Sequence, residues 1–222
     1  LTEVGDFNPA EAIQTLSSAY VITYNFKYEG NTVATQVTSI SVGDNYPAIT
    51  VLPWGASATV PEGKPTSNET VDIDCTVDTS VLPFVPAASY DEITNWYYLK
   101  FDSDNNIYLH HDADQDHLDL NSKAVDENNK YNYTWAFVGN PFDGYQIVNL
   151  GAGKGYILSS STTMAGTTGA DTWPIMTQTP VASGNNEYWI PTQSTHADKG
   201  FFLAQKGYPN NRMNNRGKLA YW

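Results

Sequence analysis

Cysteine occurs once in the 222 residues, at Cys75, so no disulfide can form within the chain and cysteine usage leaves the redox compartment open. Basic residues are also scarce. Eleven Lys and Arg against 24 Asp and Glu give a net charge of −13, a field that repels polyanions and offers no basic stripe for phosphates, which argues against nucleic acid as a partner. No apolar run approaches the ~18 residues of a membrane span, and no signal-peptide pattern is present. The first residue is Leu1 rather than an initiator methionine, and the expectation is a piece of a longer polypeptide with further domains. Catalytic signatures are missing as well: no Gly-x-Ser-x-Gly, no phosphate loop, no His-Glu-x-x-His and no dinucleotide fingerprint. The expectation is therefore a region that does not itself catalyse a reaction.

Aromatic residues are plentiful, at 13% with 15 tyrosines, and aromatic side chains suit a half-buried pleated surface. Residues 1–18 read as a linker or the end of an upstream domain. Within them Asn8-Pro-Ala-Glu11 has the cap, first-turn proline and third-position acid of a short helix. From Tyr20 the period is two, through Ile22, Tyr24, Phe26 and Tyr28 to a turn at Glu29-Gly30-Asn31, and alternation resumes from Thr32 to Val42, predicting a hairpin. Further strands are expected at Ile49 to Leu52, Ala58 to Val60 and Val71 to Val77. In the last of these Val71, Ile73, Cys75 and Val77 share a face, making Cys75 a buried, inert thiol. Residues 19–85 thus form one small all-β module, sandwich-like. Leu82-Pro-Phe-Val-Pro86 reads as a linker, because prolines stop strand pairing.

The remainder, 86–222, is repetitive. Trp96-Tyr-Tyr-Leu-Lys-Phe101, Gly144-Tyr-Gln-Ile-Val148 and Gly200-Phe-Phe-Leu-Ala204 open short strands starting at Tyr97, Tyr145 and Phe201, with Tyr108-Leu109, Tyr156-Ile157 and Arg212-Met213 eleven positions on. Trp135 and Trp189 close the first two units, and the third is expected to be incomplete at Trp222. Units of roughly 40 to 50 residues indicate a symmetric array, and three hairpin-like units with an aromatic closing strand point to a β-trefoil. Trp135, Trp189, Tyr97 and Tyr145 recur at repeat positions and are expected in the core.

With Trp96-Tyr-Tyr-Leu, Trp135-Ala-Phe-Val-Gly-Asn-Pro-Phe-Asp-Gly-Tyr145 and Lys154-Gly-Tyr-Ile-Leu158 in view, the second half resembles the trefoil-type (ricin-like) accessory modules of large exported proteins from gut anaerobes. The module containing Tyr24-Asn-Phe-Lys-Tyr28 is similar to their Ig-like companion domains. The resemblance implies an extracellular or cell-surface, non-catalytic, carbohydrate-binding accessory region whose parent acts on glycans or peptides, with a glycan or glycoprotein as partner. Ricin-type repeats carry Gln-x-Trp, whereas Tyr133-Thr-Trp135 and Glu187-Tyr-Trp189 stand here, so lectin sugar positions do not transfer.

Sugar recognition needs an aromatic face and planar polar groups. Trp173, in a loop beside Pro174, and Tyr208, Asn210, Asn211 and Arg212, expected on one turn, are the carbohydrate-binding candidates; turn formation or packing is the competing reading for each. Asp112, Asp114 and Asp116 match the first three ligand positions of a calcium loop, but His117 replaces its glycine and Lys123 its final glutamate. A solvated acidic loop is the first reading there, a weak calcium site the second and zinc the last. No other cofactor is expected. The alternative function is a structural spacer or protein-interaction module without a small ligand.

Overall fold

The computed structural model describes residues 19–101, 107–111, 119–121, 125, 127–160, 174–178, 187–194, 200–206, 208–215 and 219–221; for 101, 107, 119–121, 160, 174–178, 208–212, 214, 215 and 219–221 the description is of the backbone alone. The described residues are mostly β, and their helical elements are short 3-10 turns. The chain divides into two compact units. One takes in the chain through Leu52 and Ala56–Thr76; the other takes in Pro53–Gly55 and the chain from Val77. The short N-terminal helix expected at Asn8 lies outside the described residues.

In the first unit β1 (Ala19–Tyr28), β2 (Asn31–Ser41), β3 (Ala56–Ala58) and β4 (Glu69–Val77) form one sheet in the order β2-β1-β4-β3, with β1 antiparallel to β2 and parallel to β4. The expected hairpin is present. Tyr28 pairs with Asn31, and Glu29 and Gly30 between them have φ of 49° and 79°, the two positive values that a type I′ turn requires to match strand twist. Alternation along β1 buries Ile22, Tyr24 and Phe26 completely. Ile73 and Cys75 are buried on β4, while Asp72 and Asp74 are exposed. Burial pushes the Cys75 thiol pKa up, which keeps the sulfur protonated and unreactive.

Ile49 to Leu52, expected as a strand, forms no strand pairing among the described residues. Pro47 and Pro53 remove backbone donors at either side. The segment is held by side chains instead: the buried Gln36 amide donates to the Ala48 carbonyl at 2.7 Å and accepts from the Thr50 amide at 2.9 Å, and the Tyr24 hydroxyl donates to the Pro47 carbonyl at 3.0 Å.

The second unit opens with β5 (Tyr97–Tyr98), β6 (Lys100–Phe101), β7 (Ile107–His110) and β8 (Asp119–Asn121), followed by β9 (Thr134–Asn140), β10 (Gly144–Asn149), β11 (Tyr156–Ser160) and β12 (Pro174–Gln178). It continues with β13 (Trp189–Gln193), β14 (Phe201–Gln205), β15 (Tyr208–Asn215) and β16 (Leu219–Tyr221). Pairing repeats along this series. The chains β6-β7-β8, β10-β11-β12 and β14-β15-β16 are each hydrogen-bonded in sequence order. Between them, β9 pairs with β5 behind it and β10 ahead, and β13 pairs with β10 behind it and β14 ahead.

The register repeats to the residue. Trp135 lies opposite Tyr97 and Asn149, and Trp189 lies opposite Tyr145 and Gln205. Both indoles are fully buried. Trp135 Nε1 donates to the Leu109 carbonyl at 2.8 Å and Trp189 Nε1 to the Leu158 carbonyl at 3.0 Å. Leu109, Leu158 and Met213 are therefore the corresponding residues of the three units, one position later in the second unit than Ile157. Phe137, Tyr145, Ile147 and Leu203 are among the side chains that join the tryptophans in one apolar cluster, against which Tyr97 and Phe201 pack. Ile157 belongs to a separate cluster with Ala136, Val138 and Val148.

The proline-rich stretch expected as a linker is part of this core. Leu82 and Phe84 are 8% and 3% exposed, and the Phe84 ring stacks on Phe137 at 3.8 Å with planes 10° apart. Ala87 then bridges to Val138, its amide donating to the Phe137 carbonyl at 2.9 Å. Trp54 also packs against the cluster, 6.5 Å from the Phe201 ring.

Candidate functional site

The connection between β9 and β10 is built from Gly139-Asn-Pro-Phe-Asp-Gly144. Gly139 has φ of 129°, and a Cβ there would lie 2.5 Å from the Gly144 carbonyl oxygen; Gly144 has φ of 83°, and its Cβ would meet Ile190 Cδ1 at 2.9 Å. Only glycine fits at both positions. Between them the Asn140 side-chain oxygen accepts from the Phe142 and Asp143 amides at 2.9 and 3.0 Å, and its nitrogen donates to Asp143 Oδ2 at 2.9 Å. This Asx turn fixes the outline of the connection.

Lys206, one residue beyond β14, is secured twice. Its amide donates to the Tyr188 carbonyl at 2.8 Å, and its ammonium donates to the Asp143 carbonyl at 2.8 Å while standing 5.4 Å from the centre of the Tyr188 ring. The first of these contacts is a repeat feature, since the Leu150 amide donates in the same way to the carbonyl of Thr134, the residue before the other tryptophan. Beside these contacts lies a hollow of about 450 Å³ whose lining includes Val138, Asn140, Asp143, Gln146, Tyr188 and Lys206. It is a shallow, open depression rather than an enclosed cleft. Its lining includes an asparagine, an aspartate, a glutamine, a tyrosine and a lysine, of which the Asn140 amide is engaged within the turn and the Lys206 ammonium on the Asp143 carbonyl.

Glu187 precedes Tyr188 and is 3% exposed. Burial raises its carboxyl pKa above the ordinary glutamate value, because the charged form loses hydration. Below the ordinary pKa the group is protonated whether the chain is folded or not, and burial costs little. As pH rises from there through the raised folded value, the unfolded chain releases its proton first, so stability falls across that window. Glu187→Gln is expected to abolish this fall and to leave the protein more stable at neutral pH by about 1 kcal/mol or more, equal to about 3 °C in melting temperature. Melting temperatures of both proteins from pH 4 to 8 check it; parallel curves would refute it.

Of the sites expected from sequence, only Tyr208, Asn210, Asn211 and Arg212 fall among the described residues. Trp173 and the acidic loop residues Asp112, Asp114 and Asp116 lie outside the described residues. Tyr208, Asn210, Asn211 and Arg212 belong to β15, where Tyr208 pairs with Gln205 and Arg212 with Ala204, so the register against β14 breaks across the three residues between them. The described residues lining the hollow include none of these candidates. Among the described residues no group of three or more His, Cys, Asp or Glu is placed to hold a metal, and no helix is long and apolar enough to cross a membrane.

No family profile, no curated protein and no solved structure matches the chain.

The hollow was missed in the sequence because Tyr188 and Lys206 meet only through strand register. A signal was available in the two glycines that bracket Asn140-Pro-Phe-Asp143, since a turn closed by glycine at both ends marks a close backbone approach.

Proposed function

We propose that this chain is a non-catalytic accessory region of a larger exported or cell-surface protein: an Ig-like β module followed by a β-trefoil-like domain that binds carbohydrate. What supports the trefoil reading is the repeated pairing, in which Trp135 and Trp189 each lie between the first strand of their own unit and the first strand of the next and donate to equivalent carbonyls. The Ig-like reading rests on the strand alternation of the first unit and on the resemblance.

The observation that favours carbohydrate is the lining of the hollow. Planar amides and a carboxylate satisfy vicinal hydroxyls as paired donors and acceptors, and a tyrosine ring accepts the CH face of a pyranose. Asp143 is the single carboxylate among the lining residues, whereas glycoside hydrolysis uses two acids across the scissile bond. The hollow is therefore suited to holding a sugar rather than cutting it. The spacer or protein-binding alternative is favoured by one observation, that Asn140 and Asp143 already bond each other.

Glycan-array screening of the chain followed by titration calorimetry tests the reading. Binding is expected, and Tyr188→Ala is expected to weaken it about tenfold, or about 1.4 kcal/mol, with the fold intact by circular dichroism. An array without any ligand would favour the spacer. Binding that survives Tyr188→Ala but is lost in Trp173→Ala would move the site to the residues expected from sequence.

A further inference from the structure

We propose that the first unit pairs with a second copy of this chain through the free edge of β2, in antiparallel register about Val37. β2 is the edge of its sheet, and from Asn31 to Ser41 it carries no charged residue, no proline and no glycine in a chain of net charge −13. Exposed sheet edges are normally blunted by lysine, proline or shortness, and this one has none of the three.

Which backbone groups face outward follows from two bonds. The Val21 amide donates away from β2, to Asn68 Oδ1 at 2.8 Å, and Ser41 donates to Asp44 Oδ2 at 3.2 Å while its carbonyl accepts from the Asp44 amide at 3.1 Å. The pairs Ala19–Ser41 and Val21–Ser39 are therefore the non-hydrogen-bonded kind. By alternation so are Thr23–Val37 and Asn25–Thr35. Thr35, Val37 and Ser39 thus turn their backbone N–H and C=O groups away from β1, and no hydrogen bond among the described residues reaches those groups. A register shift on the other side of Ala34 ends the regular edge at one end, and Asp44 caps it at the other.

The occupant that matches this edge is the edge itself. Thr35-Gln-Val-Thr-Ser39 reads hydroxyl, Val, hydroxyl at the outward positions, so a twofold axis through Val37 sets Thr35 opposite Ser39 of the other copy. Each backbone group then finds its complement. Val37, 64% exposed, is covered by its counterpart, a cross-strand β-branched pair. The paired strands themselves carry no charge, so the repulsion between two copies of net charge −13 comes from outside them and is screened by salt. The product is a continuous sheet across both copies. One strand pair buries less than the ~1,200 Å² of a standard interface, so the dimer is weak and depends on concentration and on salt, which screens the repulsion.

Sedimentation velocity on the whole chain over a concentration series is the test. Reversible dimerisation, strengthened by added salt, is expected. Val37→Lys is expected to abolish it by placing two ammonium groups at the axis, while Val21→Lys, on the same sheet face but away from the edge, is expected to leave it intact. Under mild oxidation Val37→Cys is expected to cross-link, and Thr35→Cys is not, because the axis separates the two Thr35 positions by about 13 Å along the strands. A monomer at every concentration, a dimer that survives Val37→Lys, or equal cross-linking of the two cysteine variants would overturn the proposal.

Discussion

Replacing Trp135 with alanine is expected to cost the second unit about 3–5 kcal/mol, the range for removing a large buried aromatic. The indole is fully buried in the cluster with Phe137, Tyr145 and Leu203, so truncation removes its apolar burial and leaves a cavity that strands on both sides keep from closing. It also strips the buried Leu109 carbonyl of the donor it has at 2.8 Å. Trp135→Phe separates the two effects, because most of the ring volume stays; about 1–3 kcal/mol is expected from the unpaired carbonyl and the smaller ring. Trp189→Ala should match Trp135→Ala, since Trp189 has the same register and the same bond to Leu158. Urea unfolding followed by circular dichroism measures all three. Domains are stable by only about 5–15 kcal/mol in total, so either alanine variant should unfold at much lower urea. A loss below about 1 kcal/mol, as at an ordinary surface position, would mean that the tryptophans do not brace the sheet.

The same tryptophans show how far the sequence was legible. Period-two alternation gave β1, β2 and β4, because a strand with one buried face must write its burial into every second residue. The spacing of Tyr97, Tyr145 and Phe201 gave the first strand of each unit, and Trp135 and Trp189 the closing ones. The sequence reading failed by one position at Ile157. The connection from Asn149 to Leu158 is one residue longer than that from Phe101 to Leu109, and it contains Gly153 and Gly155 at φ of 86° and 94°. One residue more in a hairpin turns every following side chain to the other face, which is why Leu158 enters the core with the tryptophans and Ile157 packs with Ala136, Val138 and Val148. The hollow at Tyr188 was illegible for a related reason. Asp143 and Lys206 are brought together by the pairing of β10 with β13 and of β13 with β14, and no local pattern records a partner 63 positions away.

Phe84→Ala is expected to be about as damaging as the tryptophan truncations, at about 3–5 kcal/mol, although Leu82-Pro-Phe-Val-Pro86 has the composition of a linker. Its prolines do prevent a strand: no ladder forms from Ser80 to Pro86. Prevention of pairing is not exposure, however. Beyond the 3-10 turn at Thr79–Val81 the segment still alternates: Leu82 and Phe84 are buried while Pro83 and Val85 are exposed. Phe84 touches three rings, stacked on Phe137 and inclined to Tyr145 and Phe201 at 5.3 and 5.7 Å. Such aromatic contacts add about 0.5–1.5 kcal/mol per pair to the area buried. The segment is also tied by its backbone, with Val85 donating to the Tyr97 hydroxyl at 2.7 Å and Ala87 to the Phe137 carbonyl. Removing the ring therefore withdraws the contact that joins β9, β10 and β14 from one side. Val85→Ala, one residue on and facing the opposite, exposed side, serves as the control and should stay within about 0.5 kcal/mol. Equal urea midpoints for Phe84→Ala and Val85→Ala would show that the segment is a tether after all, with its ring dispensable to the core.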